Sequence, residues 1–316
     1  MNKYDNRFPL TSGMNPWLSI PVIILVCMGA AIILSQMAIP LIDVITNING
    51  QELQLLVNQE TLNDKDRLAL FIFQGFTAIG GFIVGPIIFI LLMDRLQIKS
   101  IINQTGLSLT PVLLTIIIVL CFMVVISVVL KWNMELTLPE FLKNAEDWAR
   151  NKEDEIAQLT RNLTVMNNGT QLLIALVVIA LIPSIGEELL FRGLIQNKLY
   201  AGIGNIHLAI WITGFVFSAI HLQFFGFFPR MFLGVLFGYL YFWSGNLIVP
   251  MIAHFVNNAF TILALYLYQN GMIDFNIDQV PTATPISTFI IFLVISLTLI
   301  WYFYHFYKRS RVELTE

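Results

Sequence analysis

Charge is scarce in this chain. Of its 316 residues only 12% are Asp, Glu, Lys or Arg, where a soluble domain carries about 25%. That shortage excludes a cytosolic enzyme and a disordered chain, both of which need a well-solvated surface. The formal net charge is -3 and no basic block is present to track phosphates, so a nucleic-acid partner is excluded as well. Cysteine is nearly absent: Cys27 and Cys121 each sit inside an apolar run and read as small core residues, not as disulfide halves or metal ligands. A cleavable signal peptide is not expected, because the first apolar run is too long for one and lacks a clear cleavage site. Neither an internal repeat nor a soluble domain is apparent.

Apolar residues are abundant instead. They make up 57% of the chain, and the mean hydropathy is +0.77. This is the composition of a polytopic membrane protein, all-α in fold class. A span needs about 20 apolar residues. Candidate spans run from Trp17 to Ile39, Leu68 to Met93, Pro111 to Leu130, Leu172 towards Lys198, and Ile206 past His221. The stretch from Met231 to Ile273 has no Asp, Glu, Lys or Arg and is interrupted by the turn-forming Ser244-Gly245-Asn246, giving two more spans. The last runs from Ile286 to Tyr307, making about eight transmembrane helices.

An even count puts both termini on one side. Lys3, Arg7, Arg95, Lys99, Lys198, Lys308, Arg309 and Arg311 all fall on that side, so the positive-inside rule makes it cytoplasmic. The expected setting is a bacterial inner (plasma) membrane. The segment 131–170 on the opposite side contains Phe141, Ala145, Trp148, Lys152, Ile156 and Leu159 at helical spacing, preceded by Pro139 and Glu140. It reads as an amphipathic connector at the interface, or as a surface helix shading a site. Asp274 and Asp278 mark another loop on that opposite side. Gly81 and Gly85 form a small-xxx-small pair suited to close helix packing.

Ionisable groups inside a bilayer are costly and call for a reason. Three segments carry them: Glu187-Glu188-Leu189-Leu190-Phe191-Arg192, Phe217-Ser218-Ala219-Ile220-His221, and His254-Phe255-Val256-Asn257-Asn258. Glu188 and Arg192 are four apart and stack on one helical face, where they neutralise each other. Glu187 is rotated by about 100° and is left without an intrahelical cation, which suits a general base. Phe217 can hold the His221 ring from one turn away, and His254 and Asn258 can direct two donors at one point, as an oxyanion site requires.

These three segments resemble the EExxxR, FxxxH and HxxxN motifs of the CPBP family of intramembrane proteases, which includes the CAAX-prenyl endopeptidases and the bacterial Abi proteins. The resemblance covers residues 170–265 or so. It implies an all-helical membrane fold of about eight helices around a buried polar cavity, and hydrolysis of a peptide bond in a membrane-associated protein or peptide. It further implies catalytic roles for Glu187 and His221 in activating water and for His254 and Asn258 in stabilising the oxyanion. Glu188, Arg192 and Phe217 would support them, with Asn257 an extra neighbour. No cofactor is expected. The family has also been described as metal-dependent, and Glu187, Glu188, His221 and His254 are the residues that could ligate zinc. The chain accordingly divides into a cytoplasmic segment 1–16, spans one to three in 17–169, a catalytic core in 170–270, and a loop, last span and basic tail in 271–316. The alternatives are a catalytically silent scaffold, a bacteriocin-immunity regulator, and a transporter, though the transporter's paired repeats are missing.

Overall fold

A computed structural model describes residues 14–57, 59, 61–102, 106–274 and 284–313. Lys3, Arg7 and Asp278 lie outside the described residues, as do the side chains of Arg309 and Arg311. Among the described residues the fold is all-α, with no strand. The helices are α1 (Pro16–Thr46), the short α2 (Gly50–Leu56), α3 (Asp64–Met93), the short α4 (Ile98–Ile102), α5 (Leu109–Met134) and α6 (Lys143–Leu163). They continue with α7 (Gly169–Ile203), α8 (Ile206–Ala219), α9 (Phe227–Ser244), α10 (Ile248–Gln269) and α11 (Ile286–Glu313). Seven of the described helices are long and apolar enough to cross a bilayer. The protein is an integral membrane protein.

Local chemistry sets the helix ends. Asn15 caps α1 by accepting from the Trp17 N–H, with Pro16 at the first turn. Asn49 with Glu52, and Asn63 with Asp66, form capping boxes on α2 and α3. Gly204 and Gly245 end α7 and α9 at φ 75° and 65°, left-handed conformations that favour glycine. The second of these is the Ser244-Gly245-Asn246 break expected between spans six and seven.

One span is shorter than expected. α8, the fifth span, has 14 residues, about 21 Å of helix, against a hydrocarbon core of about 30 Å. It stops at Ala219, and Leu222 takes a left-handed conformation at φ 54°. His221 therefore sits in the turn after α8, not within a helix. The buried Asn133 of α5 holds this irregular chain on both sides: its amide donates to the Phe224 carbonyl at 3.1 Å and its oxygen accepts from the Phe228 N–H at 3.0 Å. Non-helical backbone at membrane depth needs such internal partners.

α6 and the turn before it present aromatic side chains outward. Phe141 and Trp148 point outward, 84% and 59% exposed. The inward face instead carries Glu146, Ala149 and Leu163. It is partly polar because it must satisfy neighbouring backbone. Glu146 accepts from the Leu138 N–H at 2.8 Å and from Arg150 at 2.9 Å; Glu153 accepts from the Phe225 N–H at 3.0 Å. Arg150 lies over the Phe225 ring at 4.1 Å. α6 is thus bound to the turn that follows His221.

Lys198 is another correction. It belongs to α7, is 1% exposed, and pairs with Asp94 at 2.6 Å, so it is no loop charge. Gly81 only flanks the contact between α1 and α3, where a Cβ would meet Ala31 at 3.3 Å. The close approach is made by Gly80 and Gly85, where a Cβ would fall 2.5 Å from the Ala30 carbonyl oxygen and 2.7 Å from the Cys27 Cα. Cys27 is buried, Cys121 is half-buried, and neither is in a disulfide.

Candidate active site

α7 is not a uniform α-helix. Its segments Leu176–Leu181 and Leu189–Ile195 are wound as π-helix, a form that recurs at functional sites. Pro183 follows the first of them and has no N–H to offer the Ile179 carbonyl four residues back. That carbonyl accepts from the Asn258 side chain of α10 at 3.3 Å. Asn257 in turn donates to the Asn258 side-chain oxygen at 3.1 Å. Asn258 therefore ties α10 to the loosened turn of α7.

One turn further along α7 lie the two carboxylates, both buried. Glu188 Oε1 accepts from Arg192 at 2.8 Å, the i, i+4 pair that the spacing calls for. Arg192 is fully buried, donates also to the Gly234 carbonyl at 2.7 Å, and lies over the Phe217 ring at 4.9 Å. Glu188 Oε1 is also 2.9 Å from His254 Nδ1. The other imidazole nitrogen, Nε2, is 3.9 Å from Glu187 Oε2. Phe237 stacks on the His254 ring at 5.4 Å and Phe217 meets it edge-on at 5.8 Å, so its plane is fixed.

His221 stands on the far side of Phe217. Its Nδ1 is 2.8 Å from the Phe217 carbonyl oxygen, and the two rings are 5.3 Å apart. A carbonyl can only accept, so Nδ1 carries the proton. His254 Nδ1 faces the Glu188 oxygen that accepts from Arg192, so an N–H there would add a second donor to that oxygen. Both imidazoles then present Nε2 for chemistry. The structure thus brings Glu187, Glu188, Arg192 and His254 into direct contact or near-contact. His221 joins them through Phe217, and Asn258 through α10. His207 contacts the Tyr239 hydroxyl and His305 lies at a tilt against Trp301, both outside this group.

Glu187 also faces a cavity of about 670 Å³ enclosed by α1, α3, α6, α7 and α8. Its wall is apolar apart from Cys27, Gln74, Thr77 and Glu187. Ile24, Met28 and Ile220 of that wall are also exposed at the molecular surface, so the cavity reaches the face that lipid covers. Glu187 stands between this cavity and His254.

Two of the residues named for zinc have atoms engaged elsewhere. Glu188 Oε1 is occupied by Arg192 and His254, and His221 Nδ1 is turned to backbone. Among the described residues no three His, Cys, Asp or Glu side chains are grouped closely enough to hold an ion. Sequence reasoning missed a buried and a half-buried cation: Lys198, read as a loop charge, and Arg230, which stands alone in a long apolar stretch.

Residues 169–260 match the family model described as type II CAAX prenyl endopeptidase Rce1-like. The matched segment holds all three motifs and bears out the resemblance to the CPBP family. The chain is also 32% identical over 88 residues to the uncharacterized protein YpbD of Bacillus subtilis (strain 168), covering 27% of this chain and 42% of that protein. The chain thus spans about two fifths of the curated relative it matches. No solved structure matches.

Proposed function

We propose that the protein is an intramembrane endopeptidase, cleaving a peptide bond in a membrane-associated protein or peptide by metal-free glutamate chemistry. One observation carries the reading. Glu187, on the cavity wall, is 3.9 Å from a His254 nitrogen whose ring is fixed by Glu188 and two phenyl rings. That separation is too long for a direct hydrogen bond and admits one oxygen atom within reach of both groups.

Glu187 takes a proton from water while the water oxygen bonds to the scissile carbonyl carbon. His254 in its doubly protonated form donates Nε2–H to the resulting oxyanion, joined by the remaining amide hydrogen of Asn258. His221 Nε2 orients the water. The C–N bond then breaks as Glu187 returns its proton to the leaving amine. Glu188 and Arg192 hold His254, and Phe217 spaces the two imidazoles. An apolar cavity open towards lipid suits an apolar peptide segment, and the family match supports the reaction class.

The setting that fits is a bacterial plasma membrane with both termini cytoplasmic, supported by the exposed Arg95 and Lys99 and by the bacterial relative. Residues 170–270 form the catalytic core in this reading. The test is proteomics of membrane fractions from cells carrying the wild type or Glu187→Gln. Peptide termini present with the wild type and lost in the variant identify the substrate; identical termini in both refute the reading.

A further inference from the structure

Among the described residues, the buried or half-buried Lys and Arg side chains other than Arg230 are paired with carboxylates. Arg192 has Glu188, Lys198 has Asp94, Arg67 has Asp64, Arg150 has Glu146, Lys131 has Glu135 and Lys152 has Glu155. Arg230 is the exception among the described residues: half-buried on α9, it has no carboxylate within ion-pair distance. Its Nη2 donates to the Gln223 side chain at 2.8 Å, and the guanidinium lies so near the backbone that a Cβ on Gly226 would be 3.1 Å from it. Its Nη1 is buried with no hydrogen-bond partner in the protein. Glu187, His221 and Glu153 are all close enough to interact with it electrostatically.

A buried charge left unpaired is costly, and a half-satisfied guanidinium presents a planar donor edge matched to a carboxylate. Glu153 is committed to the Phe225 N–H, and Glu187 is the base of the proposed reaction. A carboxylate on the ligand would complete the pair. We propose that Arg230 is the anchor of the substrate site, pairing with a carboxylate of the bound peptide and so fixing which peptide bond lies against Glu187. This rests on the endopeptidase reading for its consequence but not for its test. The carboxylate is supplied either by the C-terminus of the peptide or by an acidic side chain. Arg230 is a specificity-determining residue, placed in the first turn of α9 by the Gln223–Gly226 turn that leads there from His221.

The test reads binding in a protein that cannot turn over. The Glu187→Gln chain in detergent micelles is titrated against one apolar fluorescent peptide made in three forms. The first has a free C-terminal carboxylate and no acidic side chain, the second a C-terminal amide and no acidic side chain, and the third a C-terminal amide with one Glu. At least one acidic form should bind about tenfold or more tightly than the neutral amide, and which one does so names the source of the carboxylate. In Glu187→Gln/Arg230→Gln that preference should vanish while the neutral amide binds as before, which also shows that the variant is folded. Arg230→Lys should keep part of the preference. Equal binding of all three forms, including no binding by any, overturns the proposal, as does a preference that survives Arg230→Gln. If the wild type proves to hydrolyse nothing, the endopeptidase reading fails while this binding result still stands or falls by itself.

Discussion

His254 Nδ1 lies 2.9 Å from Glu188 Oε1, and that oxygen also receives Arg192 at 2.8 Å. One carboxylate oxygen therefore serves a cation and an imidazole at once. The adjacent carboxylate of Glu187 is left with only a distant approach to the same ring, at 3.9 Å. The two glutamates of the motif differ in environment although they are neighbours in sequence.

Removing the charge of Glu188 should cost stability. Glu188→Gln strands Arg192, which is fully buried, and breaking such a pair typically costs about 3–5 kcal/mol. Thermal unfolding in detergent should show a clear drop for this variant. Glu188→Gln/Arg192→Gln should recover part of it, since no unpaired charge remains. A double variant no more stable than the single one would show that the pair does not act as a unit.

Asn258 gives a second prediction. Asn258→Ala removes the donor to the Ile179 carbonyl that Pro183 cannot serve. Losing one hydrogen bond to this half-buried carbonyl costs about 0.5–1.5 kcal/mol, so this variant should lose stability as well as rate. Asn257→Ala should lose less, because its amide reaches only Asn258. An Asn258→Ala protein that melts like the wild type would remove the helix-tying role.

Much of this was legible in the sequence. The long apolar runs, the Gly245 break and the i, i+4 pairing of Glu188 with Arg192 follow from composition and helical spacing. The shortness of α8 was not legible, because the apolar run continues past Ala219 and no Gly or Pro marks the turn at Leu222. Nor was the inward face of α6. Glu146 and Glu153 occupy it to satisfy backbone groups elsewhere in the chain, which helical spacing of apolar residues does not report. Lys198 and Arg230 were misread or missed for a related reason: their meaning depends on whether a carboxylate lies nearby, and that is a tertiary fact.

The attachment of α6 should depend on pH. Glu146 is held below the usual carboxylate range, first by the Leu138 N–H and then by Arg150. A group depressed in the folded state stabilises it fully above the ordinary Glu value of about 4.3, and that contribution is lost as pH falls through its lower folded value. Burial pushes Glu153 the opposite way, so its ionised form weakens the fold as pH rises through the window just above the ordinary Glu value. Amide exchange at Leu138 should therefore speed up on acidification below about pH 4, relative to amides in the middle of α10. An unchanged ratio would contradict the role given to Glu146.

The central claim is that Glu187 is the base and acts within an intact fold. It is tested most directly by the turnover of purified Glu187→Gln on the substrate that membrane proteomics identifies, measured beside its melting temperature. Loss of a general base costs about 10²–10⁴-fold in rate. The account predicts a loss of that size with melting unchanged. Retention of wild-type turnover, or a loss of activity that only follows a loss of fold, would contradict it.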